Sequence, residues 1–208
     1  MITIYTIGHS NHTVDTFLSL LQRHRIQAVA DVRSSPYSRF SPQFNRDVLP
    51  KCLRAINIEY AFMGDRLGAR PHEPACYQDG SVDFASLSRT DTFKDGLIEA
   101  RNRAVRVNLA LLCSEKDPIH CHRMILVCRH LRSTDTLIRH IRETGAVEDN
   151  HEAERRLLTL LHMEPADLFR TPDQMIEEAY DRQGARIAYH EEERVSANRG
   201  IAVSGRNL

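Results

Sequence analysis

Short apolar runs and helical stripes alternate along this chain. The run Ile2 to Ile7 is β-branched and aromatic and stops at Gly8, which predicts a strand running into a turn. Val14, Phe17, Leu18 and Leu21 then recur at i, i+3, i+4 and i+7, the stripe of an amphipathic helix extending to about Gln22. Ile26 to Val32 is a compact apolar run interrupted by Asp31 and followed by Arg33, and it predicts a second, buried strand. Three more strands are predicted: Ile56 to Met63, stopping at Gly64; Val107 to Cys113, stopping at Ser114; and Thr136 to Ile141, before Gly145. Helical patterns separate them near Arg46 to Ala55, Thr92 to Ala104 and Met124 to Leu131. In the last of these, Met124, Val127, Cys128 and Leu131 share a face.

Strands alternating with helices require crossover connections. The expected fold is therefore α/β, an open and mainly parallel sheet of about five strands with helices on both faces, plus C-terminal helices. The polar helical segment from His151 is followed by Thr171, Pro172 and Gln174, which have the spacing of an N-cap, a first-turn proline and a capping partner. The expected organisation is a sheet domain over residues 1–145, a helical extension packed on it over 146–190, and a flexible tail over 191–208. No internal repeat or low-complexity linker interrupts this order.

Composition narrows the function. With 208 residues and 41% hydrophobic content the chain can bury a substantial core. Positive and negative residues balance at 28 each, so no strong overall field draws the molecule onto nucleic acid or an anionic membrane. The only lysines are Lys51, Lys94 and Lys116. Arginine favours bidentate carboxylate and phosphate contacts, although genomic base composition yields the same bias. Five cysteines, an odd number without a regular framework, suit a reducing compartment. No charged-then-apolar leader is read at Met1, and no apolar stretch approaches the roughly 18 residues of a membrane span. The expectation is a cytoplasmic protein without a membrane partner.

Ligands of open parallel sheets bind beyond the carboxyl ends of the strands. The residues that follow each predicted strand are therefore the candidates. His9, Ser10 and Asn11 follow the first; Asp31, Arg33, Ser34, Ser35, Tyr37, Ser38 and Arg39 the second; Asp65, Arg66 and Arg70 the third. Cys113, Ser114, Glu115, His120, Cys121, His122 and Arg123 follow the fourth, and the fifth adds His140. Ser10, Arg33, Arg39, His122 and Arg123 are the candidate ligand-binding residues. In this scheme Arg33 and Arg39 grip an anion and the amides near His122 and Arg123 receive one at the helix start. His9, Asp31, Glu115 and Cys121 are the candidate catalytic residues. His9 moves a proton near neutral pH, and Asp31 or Glu115 orients it or serves as the base. Cys121, between two histidines and beside Arg123, is placed to have its thiol ionised. Plainer readings stand beside these: Asp31 and Arg33 pair within the loop layer, Glu115 caps the following turn, and Cys113 and Cys128 pack.

The blocks TIGHSN (Thr6 to Asn11), DVRSSPYSRF (Asp31 to Phe40), Leu67–Gly68 and LLCSEKDPIHCHR (Leu111 to Arg123) resemble the domain-of-unknown-function 488 family, over roughly Met1 to Ile141. HEAERRLL and AYDRQGARIAY are similar to the C-terminal extension of its longer members. The resemblance implies an α/β sheet domain with its motif residues gathered on one edge. It implies no settled reaction.

Several chemistries are excluded by spacing. A metal site would draw on some of Cys113, His120, Cys121 and His122 with a distant His9 or His140, but there is no C-x-x-C and no H-E-x-x-H to support it, so no metal and no cofactor are expected. A phosphatase C-x5-R loop counted from Cys121 meets Val127 where its arginine should stand. The leading expectation is hydrolysis or group transfer on a small anionic, phosphate-bearing or nucleotide-like ligand. Nucleic acid is a larger version of that ligand, disfavoured by the neutral charge and few lysines. One rival is similar to the rhodanese sulfurtransferases, with a persulfide on Cys113, although the cysteine loop is long, proline-broken and without glycine. The other rival is a non-enzymatic sensor or adaptor using the same anion pocket.

Overall fold

The computed structural model describes residues 1–163 and 170–191. The chain runs through β1 (Ile2–Gly8), α1 (Val14–Arg23), β2 (Ala28–Asp31), α2 (Leu49–Ala55), β3 (Glu59–Phe62) and α3 (Gly64–Leu67). The short strands β4 (Tyr77–Gln78) and β5 (Ser81–Val82) precede α4 (Phe84–Arg89), α5 (Asp91–Ala104) and β6 (Leu109–Cys113). A π-helical segment (Arg123–Cys128) then runs into α6 (Arg129–Leu131), followed by β7 (Thr136–Ile141), β8 (Val147–Asp149), α7 (Asn150–Leu160) and α8 (Pro172–Ile187).

Six strands form the main sheet, in the order β3-β2-β6-β1-β7-β8. The five expected strands pair in parallel, and β8 adds an antiparallel edge that the periodicity did not suggest. β4 and β5 form a separate hairpin. Most strands are shorter than their apolar runs. Ile56 caps α2 and Asn57 turns with φ of 58°, so the first residues of that run close a helix and β3 begins only at Glu59.

Side chains alternate across each strand, and this divides the core into two layers. Leu109, Leu111 and Cys113 of β6 point to one face, where they pack with Ala30, Val32, Phe93 of α5 and Val127. Ala110 and Leu112 point to the other, against Phe17 and Leu21 of α1 and Leu49 and Leu53 of α2. Each such leucine or phenylalanine, fully buried, contributes about 1.5 to 3 kcal/mol. The same alternation places the Cys113 side chain on the face covered by α5 and the π-helical segment.

That segment is apolar all round because it is covered on two sides. Leu126, Val127 and Cys128 face the sheet, whereas Met124 and Ile125 meet Leu157 of α7 and Met175, Ala179 and Tyr180 of α8 in a third cluster. Where one apolar face was expected for Met124 to Leu131, Met124 to Cys128 are buried all round and only Arg129 and His130 reach toward solvent. The Thr171–Gln174 capping box of α8 forms as read, and a second one, Asp149 with Glu152, opens α7. The expected tail lies, beyond Glu191, outside the described residues. No helix among the described residues is long and apolar enough to cross a membrane.

Candidate functional site

The site is built around the exit of β6. Two backbone bonds carry the β1–β6 ladder past the strand ends: the His9 amide donates to the Cys113 carbonyl at 3.0 Å and the Ser10 amide to the Ser114 carbonyl at 2.9 Å. The chain then folds over Gly8, where an added Cβ would stand 1.8 Å from the Glu115 carbonyl oxygen. Only glycine permits that approach. The turn Pro118–His120 follows, and its cap is Asp117, whose Oδ1 accepts from the Ile119 amide at 3.3 Å. Glu115 is exposed and leaves that role to Asp117. Cys121 and His122 come next, directly before the π-helical segment. π turns are rare and cluster at functional sites.

A cavity of about 480 Å³ opens at this edge. Arg33, Ser34, Ser35 and Tyr37 line it from the loop after β2, Ala69 and Arg70 from the loop after α3, and Cys113 to Glu115 and His120 to His122 from the loop after β6. Its remaining wall, Arg186 to Tyr189, comes from the end of α8 and the residues just beyond it. The Arg70 guanidinium lies 4.1 Å from the Tyr189 ring centroid, tying the α3 loop to the C-terminal segment.

At the base of the cavity two sulfurs and an imidazole meet. His122 Nε2 donates to the Val32 carbonyl at 2.9 Å, since the carbonyl can only accept. In the neutral ring this leaves Nδ1 unprotonated, 3.6 Å from Cys113 Sγ. Cys121 Sγ accepts from the Arg123 amide at 3.5 Å. The ligand atoms of Cys113, Cys121 and His122 all lie within 4.8 Å of one another. The two thiols share a hydrogen bond and ionise as a pair. Burial raises the Cys121 pKa, but the Cys113 S–H, the Arg123 guanidinium and His122 outweigh it and hold that thiol well below its ordinary value. Cys113 rises well above, first through its hydrogen bond with Cys121 and then through burial.

Two buried arginines brace the site, Arg33 in the cavity wall itself and Arg123 behind it. Arg33 is clamped by Asp31: its Nε donates to Oδ1 at 2.8 Å and its Nη2 to Oδ2 at 2.6 Å, with a further bond from Nη2 to the Phe44 carbonyl at 2.8 Å. Asp31 also accepts from the Tyr60 hydroxyl at 2.8 Å and from the Arg33 amide at 3.1 Å. Arg123 is 0% exposed. Its Nη1 donates to the Glu115 carbonyl at 2.6 Å, its Nη2 to the Lys116 carbonyl at 3.3 Å and its Nε to Thr6 Oγ1 at 3.3 Å. Among the described residues it forms no ion pair with a carboxylate.

Of the nine residues singled out from the sequence, Arg33, Glu115, Cys121 and His122 line the cavity. Asp31 and Arg123 lie one layer behind them, so Arg123 is a buried support rather than a residue facing a ligand, and Asp31 positions Arg33 rather than His9. The Arg123 amide, expected to receive an anion, is turned to Cys121. Arg39 is exposed and outside the cavity lining. His9 and Ser10 also lie outside it. The His9 ring is stacked on Phe44 at 4.5 Å, with Nδ1 on the Ser10 carbonyl at 3.0 Å and Nε2 on Ser114 Oγ at 3.2 Å. Burial lowers its pKa to about 4, so His9 is neutral at neutral pH and does not titrate there as expected. His140, also on the expected edge, is buried between Thr6 and Asn150.

Sequence reasoning gave Cys113 packing as its plainer reading and a persulfide in the rhodanese-like rival, and named neither Arg70 nor His120 among the catalytic or ligand-binding residues; all three line the cavity. Arg186 and Tyr189 entered that reasoning only within the AYDRQGARIAY block of the C-terminal extension, with no place at the site. The period-two pattern of β6 contains the signal for Cys113, because it puts Cys113 on the same face as the following helix. Nothing local in the sequence carries a signal for α8.

A family model described as "Domain of unknown function DUF488" matches residues 13–129. No curated protein and no solved structure matches the chain. The match stops short of α7 and α8, so the wall from Arg186 to Tyr189 lies outside the matched segment.

Proposed function

The chain belongs to the DUF488 family, and from the chemistry of its cavity we propose that it is an enzyme of hydrolysis or group transfer acting on a small anionic, phosphate-bearing ligand. One observation carries the reading: Arg33, Arg70 and Arg186 line a single cavity together with the Cys113–Cys121–His122 cluster. Guanidiniums are the side chains best suited to a phosphate. Arg33 is presented in a fixed pose because Asp31 holds its other nitrogens, while Arg70 and Arg186 come from separate segments and can converge on an anion from different sides. The cluster supplies the reactive end, and Glu115 stands at the rim where it can exchange protons with solvent. The five free cysteines among the described residues fit a cytoplasmic setting.

The test is calorimetric titration of nucleotides, phosphosugars and inorganic phosphate into wild type, Arg70→Ala and Arg186→Ala, followed by turnover of whatever binds. Specific binding weakened at least tenfold in both variants, with turnover lost in Cys121→Ser while binding is kept, is the expected result. If none of the panel binds specifically, the reading fails. If a ligand binds and no variant or wild type turns it over, the cavity is that of an anion sensor. A second reading, sulfur transfer, is favoured by Cys113 ending β6 with its sulfur facing a cationic cavity. A thiosulfate-to-cyanide assay that yields thiocyanate in wild type and not in Cys113→Ser would put it first.

A further inference from the structure

We propose that Cys113, Cys121 and His122 form a site for a thiophilic divalent cation of the zinc class, bound through three protein ligands with a fourth position open to the cavity. The inference rests on the reading of this cavity as a reaction site and names the group that would do its chemistry.

The argument is geometric. A tetrahedral zinc with metal–sulfur and metal–nitrogen bonds of about 2.3 and 2.0 to 2.1 Å sets sulfur–nitrogen edges of about 3.5 Å and a sulfur–sulfur edge of about 3.8 Å. The Cys113 Sγ to His122 Nδ1 distance is 3.6 Å, and the three ligand atoms lie within 4.8 Å of one another. The imidazole is already in the required tautomer. With Nε2–H donated to the Val32 carbonyl, the Nδ1 lone pair is free on the side of Cys113 Sγ, as in metal-ligating histidines whose far nitrogen is held by a backbone carbonyl. Cys121 is oriented independently by the Arg123 amide. The set is rigid, because Cys113 ends a strand in the sheet core and Cys121 is 1% exposed against the π-helical segment.

The ligand count points to a catalytic rather than a structural ion. Among the described residues no fourth cysteine, histidine or carboxylate joins the group. All three ligands line the cavity, so the vacant corner of the tetrahedron faces the space shared with Arg33, Arg70 and Arg186. Two cysteines and one histidine with an open position is a donor set known for catalytic zinc, and sulfur ligands select against magnesium and calcium. An ion there would polarise an oxygen of the bound anion or activate a water beside it. The spacing, C-x7-C-H, matches no common ligand motif; the end of β6 and the folded-back loop bring the three together.

The experiment is cobalt titration of the full-length protein after treatment with a chelator, read by absorbance. One equivalent of Co²⁺ should bind, with a thiolate-to-cobalt charge-transfer band and the intense visible bands of a four-coordinate ion, and one equivalent of Zn²⁺ should displace it. Cys113→Ser and Cys121→Ser should each abolish the charge-transfer signature or weaken binding at least a hundredfold. His122→Ala should weaken it tenfold or more. Cys128→Ser and Cys52→Ser should change nothing, and circular dichroism identifies any variant that has not folded. Absence of one-equivalent binding, or weak spectra that survive Cys113→Ser and Cys121→Ser in folded protein, overturns the proposal. Phosphate titration of the same samples keeps the two readings apart: anion binding without cobalt binding removes only the metal, and cobalt binding without anion binding removes only the proposed substrate.

Discussion

The loops leaving β2 and β6 each bury an arginine at the same cavity, Arg33 in its wall and Arg123 behind it, and they treat its charge in opposite ways. Arg33 carries its own carboxylate two residues upstream and spends two nitrogens on it. Arg123 has only a hydroxyl and two main-chain carbonyls, and the ionisable groups that feel its charge are the thiols of Cys113, Cys121 and Cys128 and the imidazoles of His9 and His140. A buried cation without a counter-ion is costly, so its presence needs a compensating anion nearby. The β2 loop is a self-contained brace. The β6 loop holds a charge in readiness for the sulfur cluster or for whatever the cluster binds.

The largest test of this contrast is substitution of the arginines. Arg123→Met should cost about 3 to 5 kcal/mol in urea unfolding, because the Glu115 and Lys116 carbonyls lose their donors and the loop loses its anchor. Arg33→Met alone should cost a similar amount by stranding Asp31. The double substitution Arg33→Met with Asp31→Leu should recover more than half of that loss, since it removes both halves of a pair. A cost below about 1 kcal/mol for Arg123→Met would erase the distinction.

Gly8→Ala comes next. Its Cβ cannot coexist with the Glu115 carbonyl, so the β6 loop must shift at a cost of about 1 to 3 kcal/mol, and cobalt or anion affinity should fall with it. Unchanged affinity in the folded variant would mean that the loop position is not what organises the cluster.

Acid should act on the Arg123 side of the contrast. Burial, with the Arg123 charge adding to it, lowers the His140 pKa to about 3. Thr6 donates to His140 Nδ1 and accepts from Arg123, so protonating the ring reverses the first bond and sets a second buried cation close to the arginine. Because the folded pKa is depressed, the stability due to neutral His140 is complete above the ordinary value of 6.5 and is lost as pH falls toward about 3. His140 alone should contribute a slope of about 1.4 kcal/mol per pH unit beside that of His9, and His140→Gln should reduce the slope by that amount in unfolding titrations from pH 7 to pH 4. The smallest effect is expected at the rim. Arg70→Ala removes the contact with Tyr189 and should change stability by about 0.5 to 1 kcal/mol while weakening anion binding far more.

The fold was largely legible in the sequence and the site only in part. Apolar runs of β-branched residues and helical stripes located the five parallel strands and most of the helices between them, since those periodicities are imposed by burial on one or two faces. β8 escaped because three half-exposed residues on an edge carry no such pattern. The loops that carry the site were also legible, because in an open parallel sheet the strand exits converge whatever their sequence. Which loop residues face the cavity was not. Arg123 looked like a surface cation at a helix start and is fully buried, while Cys113 looked like packing and faces the cavity.

By itself, then, the sequence determined the layering of the sheet, the edge on which polar residues collect, and the caps of the C-terminal helices, all of which follow from local periodicity and local hydrogen bonding. Tertiary structure decided the rest. Side-chain direction in an irregular loop depends on what the loop packs against, as the closure over Gly8 and the His122 bond to Val32 show. The wall from Arg186 to Tyr189 exists only because Met175, Ala179 and Tyr180 dock α8 on Met124 and Ile125. That apolar contact between distant segments carries no local signature, and it brings Arg186 into the wall of a cavity it shares with a cluster more than sixty residues away in the chain.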